Sequence, residues 1–177
     1  TKLSLDSFNN LRNLQSLDKL VVLSVKIGNL VHETQKERAM SSGFLGSNGE
    51  KFKTELPIQR VVVDEKSKEL NLFLASFDKN AYSLEFSQSL DSGLKKLEEL
   101  NNIRNGVNSL SLSASVAIGY YTDTHTLLIN TIGTITKLSQ NAQISQQLTS
   151  YMNFLLAKER TGVERAVGTN TFAKNSF

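Results

Sequence analysis

Cysteine and tryptophan are both missing from the 177 residues, and proline occurs once. Without a thiol the chain has no disulfide framework, no thiolate metal site and no cysteine nucleophile, and the lack says little about redox compartment. Aromatic residues make up only 7% while Asn, Ser, Thr and Leu are abundant, a balance that belongs to long polar helices rather than to sheet cores. No run approaches the ~18–20 consecutive apolar residues that crossing a bilayer requires. Thr1 brings neither a methionine nor a signal peptide, so the chain is expected to be a soluble piece excised from a larger protein. A dominant charge is lacking too. Twenty basic residues against 17 acidic ones leave +3, too evenly scattered to mark a nucleic-acid face, so no nucleic-acid partner is expected.

What is present is helical periodicity. From Leu3 to about Gly43 apolar residues recur three and four apart, through Phe8, Leu11, Leu14 and Leu17 and then Leu20, Leu23, Ile27, Leu30 and Val31, which predicts one long helix bent near its middle. Gly43, Gly46 and Gly49 signal its end. Ser47 with Glu50 three residues on has the spacing of a capping box, and Pro57 predicts a short segment over 48–55 with the main helix starting at 57. The pattern is regular from Ile58 to about Phe77 and breaks at Asp78, Lys79 and Asn80. A third helix is expected over Leu84–Ile103, closed by Asn105 and Gly106. The serine-alternating patch from Ser109 to Ile118 has a strand's period, yet no partner strand exists elsewhere, so it reads as a loop entering a fourth helix over about Ser113–Leu138. A fifth runs from about Asn141 to Phe172. The expected fold is all-α, an up-and-down bundle of about five long helices of the four-helix-bundle type, in one domain over 1–177.

Two stretches break the pattern. The stripe of the first helix continues through Thr34, Gln35, Arg38 and Ser42 before turning apolar at Phe44 and Leu45, which points Arg38 inward. A buried guanidinium left unpaired costs several kcal/mol, so something anionic is needed to answer it. In the last helix Tyr151, Leu155, Lys158, Gly162, Arg165 and Phe172 share a broad face, placing Arg165 beside apolar neighbours. Arg160 lies about 140° away, near Leu156 and Val167, and is a partly interior candidate as well. Gly162 in mid-helix costs ~1 kcal/mol against alanine, which a close backbone approach or a ligand usually offsets. The segments QKERA, from Gln35, and AKERTGVERA, from Ala157, echo each other.

HETQKERAMSSGFL and YMNFLLAKERTGVERA, with the YYTD segment near Tyr121, resemble the nitrate- and nitrite-sensing NIT domain of bacterial chemoreceptors, histidine kinases, cyclases and a transcription antiterminator. The resemblance covers about Leu30 to Phe177. It departs from the family at Ala39, where a glycine is usual, and at Pro57. It implies an all-helical bundle with a small anion held between long helices by Arg38 and Arg165, with Arg160, Gln35, Gly162 and Ser42 as further ligand-binding candidates. The family's domain tends to continue beyond the second motif, so a chain ending at Phe177 is expected to be truncated on that side. Nitrate is planar and monoanionic, and a guanidinium offers it two parallel donors. Two facing arginines would repel until an anion lay between them, making the empty site loose. Four heavy atoms at ~1.5 kcal/mol each allow roughly 6 kcal/mol, a dissociation constant on the order of tens of micromolar.

On this basis the chain is expected to be the periplasmic sensory domain of an inner-membrane receptor, most readily a chemoreceptor. It would be a homodimer joined to the membrane by flanking segments, and would transmit a helix displacement. It is expected to be no enzyme and to need no cofactor or metal, since HETQK lacks the second histidine of a zinc-protease helix and no GK[ST] follows the glycines. The alternatives are a sensor of another small anion, such as a carboxylate, or a helical surface or filament subunit without a ligand. Tyr120 and Tyr121 read as core residues, and Asp64 and Asp123 as residues of a solvated face.

Overall fold

Helices that each carry one apolar stripe can bury it only against one another, and the arrangement follows from which helix is long enough to serve several neighbours. The computed structural model describes the backbone of residues 2–139 and 141–174, with side chains from 14 to 139 and from 141 to 173. Among the described residues the regular elements are helices α1 (Lys2–Gly46), α2 (Glu55–Leu74), α3 (Leu84–Glu98), α4 (Leu100–Asn108), α5 (Ala114–Leu138) and α6 (Ala142–Lys174), with a 3-10 turn at Lys79–Ala81. The all-α expectation is met. Five helices are long, and the nine-residue α4 follows α3 after a break at Glu99. The expected burial of Phe8 and Leu11, and the domain limits at Thr1 and Phe177, lie outside the described residues.

α1 is 45 residues, about 67 Å at 1.5 Å per residue, and packs against α2, α5 and α6; α5 also packs against α3 and α6. The main core joins Leu23, Ile27 and Leu30 of α1, Val63 and Leu70 of α2, Phe86 and Leu90 of α3, and Leu128, Ile129 and Ile132 of α5. α6 adds Leu148 and Leu155. A smaller cluster of Leu56, Val107 and Ala117, with Met40, Phe44 and Phe52 against it, closes the end where α1 turns into α2.

The helix ends differ in detail from the expected signals. α1 stops in a Schellman motif in which Gly49 N–H donates to the Phe44 carbonyl at 2.8 Å and Asn48 N–H to Leu45 at 3.3 Å, with Asn48 left-handed at φ 50°. α4 stops the same way, Ser111 donating to Gly106 and Leu110 to Val107, with Leu110 at φ 56°. Gly106 is therefore inside the motif rather than at its left-handed position. Ser47 and Glu50 form no capping box. The Ser47 hydroxyl donates to the Gly43 carbonyl and accepts from Lys51 N–H, and α2 begins only at Glu55. Pro57 then falls in the first turn of α2, where no backbone donor is needed. Ser83 and Ser113 cap α3 and α5, accepting from Phe86 and Val116 N–H at 3.2 and 3.3 Å.

Leu128 is wholly buried and Phe154 is 63% exposed. Leu128→Ala should lower the unfolding free energy in urea by about 2–5 kcal/mol. Phe154→Ala should stay within about 0.5 kcal/mol of the parent.

Candidate functional site

Adjacent residues on a helix point about 100° apart, so Glu37 and Arg38 reach different neighbours from one turn of α1. Both are buried, Glu37 at 0% and Arg38 at 1% exposure. Arg38 extends toward α6, where Glu159 takes its two terminal nitrogens, Nη1 at 2.5 Å and Nη2 at 3.2 Å, while Nη1 also donates to Thr122 Oγ1 at 2.9 Å. Glu159 accepts in addition from Gln35 Nε2 at 2.7 Å and pairs with His125 Nδ1 at 3.0 Å. The other ring nitrogen, Nε2, meets Thr34 Oγ1 at 2.9 Å. Burial would raise the Glu159 carboxyl, but the hydrogen bonds and charge from His125 and Arg38 hold it below its ordinary value. Burial holds His125 below its ordinary value despite the carboxylate.

Glu37 turns the opposite way. It accepts from Arg104 Nε and Nη2 of α4 at 2.7 and 2.8 Å and from the Tyr121 hydroxyl of α5 at 2.9 Å, and it pairs with Arg60 of α2 at 3.3 Å. Arg104 also donates to Asp64 at 2.6 Å. Desolvation lowers the Arg104 pKa, but Glu37 and Asp64 more than offset it, so the guanidinium stays charged.

The fork of Arg38 is only half used. With Nη1 and Nη2 end-on to Glu159 and Thr122 on Nη1, the side-on edge of Nε and Nη2 remains, and Nε is buried without a hydrogen-bond partner. Buried donors are seldom left orphaned. Nη2 lies 2.6 Å from where a Cβ on Gly162 would stand, so glycine is what lets the guanidinium lie against α6. Gly162 also lines a cavity of about 330 Å3 between α1 and α6, together with His32, Gln35, Lys36, Lys158, Arg165 and the apolar Met40 and Phe52. Lys158 donates to His32 Nδ1. Burial first, then Lys36 and Arg165, pull Lys158 below its ordinary value, and burial, Lys158 and Lys36 do the same to His32. Like charges crowd this rim, and the Glu33 carboxylate beside it is taken up by Lys36 and Gln59.

Three of the six candidates, Gln35, Gly162 and Arg165, line the cavity, and Arg38 lies behind that lining with its Nη2 against Gly162. Ser42 does not join them; it is buried and donates to the Ala166 carbonyl at 2.7 Å, tying α1 to α6. Arg160 is exposed and lines no part of the cavity, because the residues α6 turns inward around it are Glu159, Gly162 and Ala166. Arg38 also differs from expectation, since an internal carboxylate answers it and no arginine pair is left to repel. Glu159, His125, Glu37 and Arg104 were not singled out by the sequence. The two glutamates stand beside arginines in the echoed motifs, and Arg104 interrupts the stripe of Leu100, Ile103 and Val107 as Arg38 interrupts its own. Asp64 is 61% exposed yet orients Arg104.

In chemical terms this is an all-helical module with a cation-rimmed cavity between α1 and α6. Residues 29–177 match the family described as nitrate and nitrite sensing, so the chain belongs to the NIT family. It is 27% identical over 168 residues to the nitrate regulatory protein of Klebsiella oxytoca, covering 94% of this chain and 42% of that protein. Its fold matches that of the NasR transcription antiterminator with a TM-score of 0.88 and 26% identity, over 98% of this chain and 48% of the other. The chain thus spans less than half the length of either relative.

These relatives overturn the expectation of a periplasmic domain of an inner-membrane receptor or chemoreceptor. They are a regulatory protein and a transcription antiterminator by name, and no described helix is long and apolar enough to cross a membrane. The expected absence of a nucleic-acid partner conflicts with the likeness to an antiterminator.

His125, His32 and Glu159 all sit below their ordinary values, so the folded chain binds fewer protons than the unfolded one. The contribution of these three groups is full above the ordinary histidine value of 6.5 and declines as pH falls, first through the histidines and then, below the ordinary 4.5 of a glutamate, through Glu159. The melting temperature should drop progressively on acidification below pH 6.5, and His125→Gln should flatten the upper part of that decline. A melting temperature constant down to the glutamate range would contradict the assignment.

Proposed function

We propose that this chain is the nitrate- and nitrite-binding sensory module of a regulatory protein, and that the anion lodges between α1 and α6 against the unpaired edge of Arg38 and the cations Arg165, Lys158 and Lys36. The observation that carries this reading is the buried Arg38 Nε without a partner, on a fork whose Nη2 abuts a cavity-lining glycine. An orphaned donor on a guanidinium invites an acceptor, and a planar monoanion with two parallel oxygens matches a side-on edge. The rim supplies spare positive charge, so a bound anion relieves repulsion among Lys36, Lys158 and Arg165 in place of displacing Glu159. The family's description and the names of the relatives point to nitrate and nitrite among such anions.

The role is binding and signalling, with no catalysis assigned. The anion touches both α1 and α6, so occupancy draws one toward the other, and each also packs on α5. A shift of that kind is how a small ligand is reported to a distant output. A filament subunit would have no use for a cationic cavity or an unpaired buried guanidinium donor, which favours the ligand module over that alternative.

Calorimetric titration with nitrate tests the proposal. Arg165 is exposed outside the core, so Arg165→Ala should fold normally and bind nitrate about tenfold or more weakly. Gly162→Ala, which puts a methyl group against Arg38 Nη2, should weaken binding as well, whereas Arg160→Ala should leave it unchanged. Equal affinity in the parent and in an Arg38→Ala, Arg165→Ala double variant would contradict the site.

A further inference from the structure

The cavity has about ten times the ~30 Å3 that one water occupies in the liquid, room enough for tetrahedral as well as planar oxyanions. Size therefore gives the site no means of refusing sulfate or hydrogen phosphate, and its three rim cations would attract a dianion more strongly than a monoanion. What stands against a dianion is Glu159. Its carboxylate is fixed by Gln35, Arg38 and His125, and it lies one helical turn before Gly162 on α6, bonded to the same Arg38 Nη2 that abuts that glycine. A ligand on the free edge of Arg38 shares its guanidinium with that carboxylate.

We infer that Glu159 is the charge-selectivity residue of the anion site: it neutralises Arg38 and confronts the ligand with a fixed negative charge, so that monoanions are accepted and divalent oxyanions rejected. The inference rests on the nitrate reading of this cavity and extends it. One negative charge on the ligand is offset by Lys36, Lys158 and Arg165. A second would meet a carboxylate that has no route to retreat, because Oε1 is held by Arg38 of α1 and Oε2 by Gln35 and Arg38 of α1 and His125 of α5. Discrimination through a placed repulsive charge is a general way to reject a competitor that shape alone admits. Glu159 also positions Arg38, since its grip on Nη1 and Nη2 is what leaves Nε and the side-on edge for the ligand.

Competition calorimetry with sodium nitrate and sodium sulfate at matched ionic strength tests this, and is preferable to melting because sulfate stabilises folded proteins generally. In the wild-type protein sulfate in about hundredfold excess should not displace nitrate. In Glu159→Gln, which keeps the shape and one acceptor oxygen for Arg38, sulfate binding should emerge and the nitrate-to-sulfate affinity ratio should fall at least about tenfold. Leu155→Val loosens the same helix without touching charge and should keep the wild-type ratio. An unchanged ratio in Glu159→Gln, or the same fall in Leu155→Val, would overturn the inference while the nitrate reading stood. Wild-type protein that takes sulfate as readily as nitrate overturns the inference whether or not the variant folds. Wild-type protein that takes up neither overturns both.

Discussion

Two neighbouring buried charges of opposite sign on α1 organise the upper half of this bundle. Arg38 is matched by Glu159 on α6, and Glu37 by Arg104 and Arg60 on α4 and α2. Removing one partner of a buried pair strands the other at several kcal/mol, whereas the net worth of an intact pair is small. The two pairs therefore act mainly as registry devices. They fix how far α6, α4 and α2 can slide along α1, because a shift of one turn would leave a full charge without its partner. Tyr121 and His125, one turn apart on α5, close the gap between them by bonding to Glu37 and Glu159 respectively.

The same arrangement bears on the proposed anion site. A bare pair of arginines would drift apart or recruit whatever carboxylate was near. Here the carboxylate is built in, taking the end of the Arg38 fork and leaving its side, so the guanidinium is already oriented before a ligand arrives. Preorganisation of this kind limits the ordering cost of binding a ligand of only four heavy atoms, for which every fraction of a kcal/mol counts. On the cation-rich rim Lys158 donates to His32 and is held below its ordinary pKa by burial first and then by Lys36 and Arg165.

Much of this was legible in the sequence, and the reasons differ by feature. The long helices were readable because stripes such as Leu20, Leu23, Ile27 and Leu30 keep a 3.6-residue period over many turns. Their ends were less so: Gly46 and Gly106 looked like stops, but Asn48 and Leu110 adopt the left-handed turn, because the Schellman geometry is decided by where the following chain packs. Arg38 could be found as an oddity on an apolar face, and Arg165 through its place beside apolar neighbours on the last helix and the family resemblance. Glu159 could not. A glutamate beside a lysine in a polar helix gives no outward sign that four donors from two other helices converge on it. Arg160 misled for the opposite reason, since its apolar neighbours Leu156 and Val167 are themselves only partly covered, Val167 being 50% exposed. The output could not be read at all, and the receptor expectation came from the family resemblance rather than from any residue here.

The central claim is that the unpaired side of Arg38 is the anion's seat. The most direct measurement is the arginine side-chain Nε–H resonance of Arg38, assigned by nuclear magnetic resonance and followed while nitrate is added. The account predicts that this signal shifts and gains protection from exchange in step with nitrate occupancy, as Nε acquires its missing acceptor. Nitrate binding with the Arg38 Nε–H signal unmoved would contradict it.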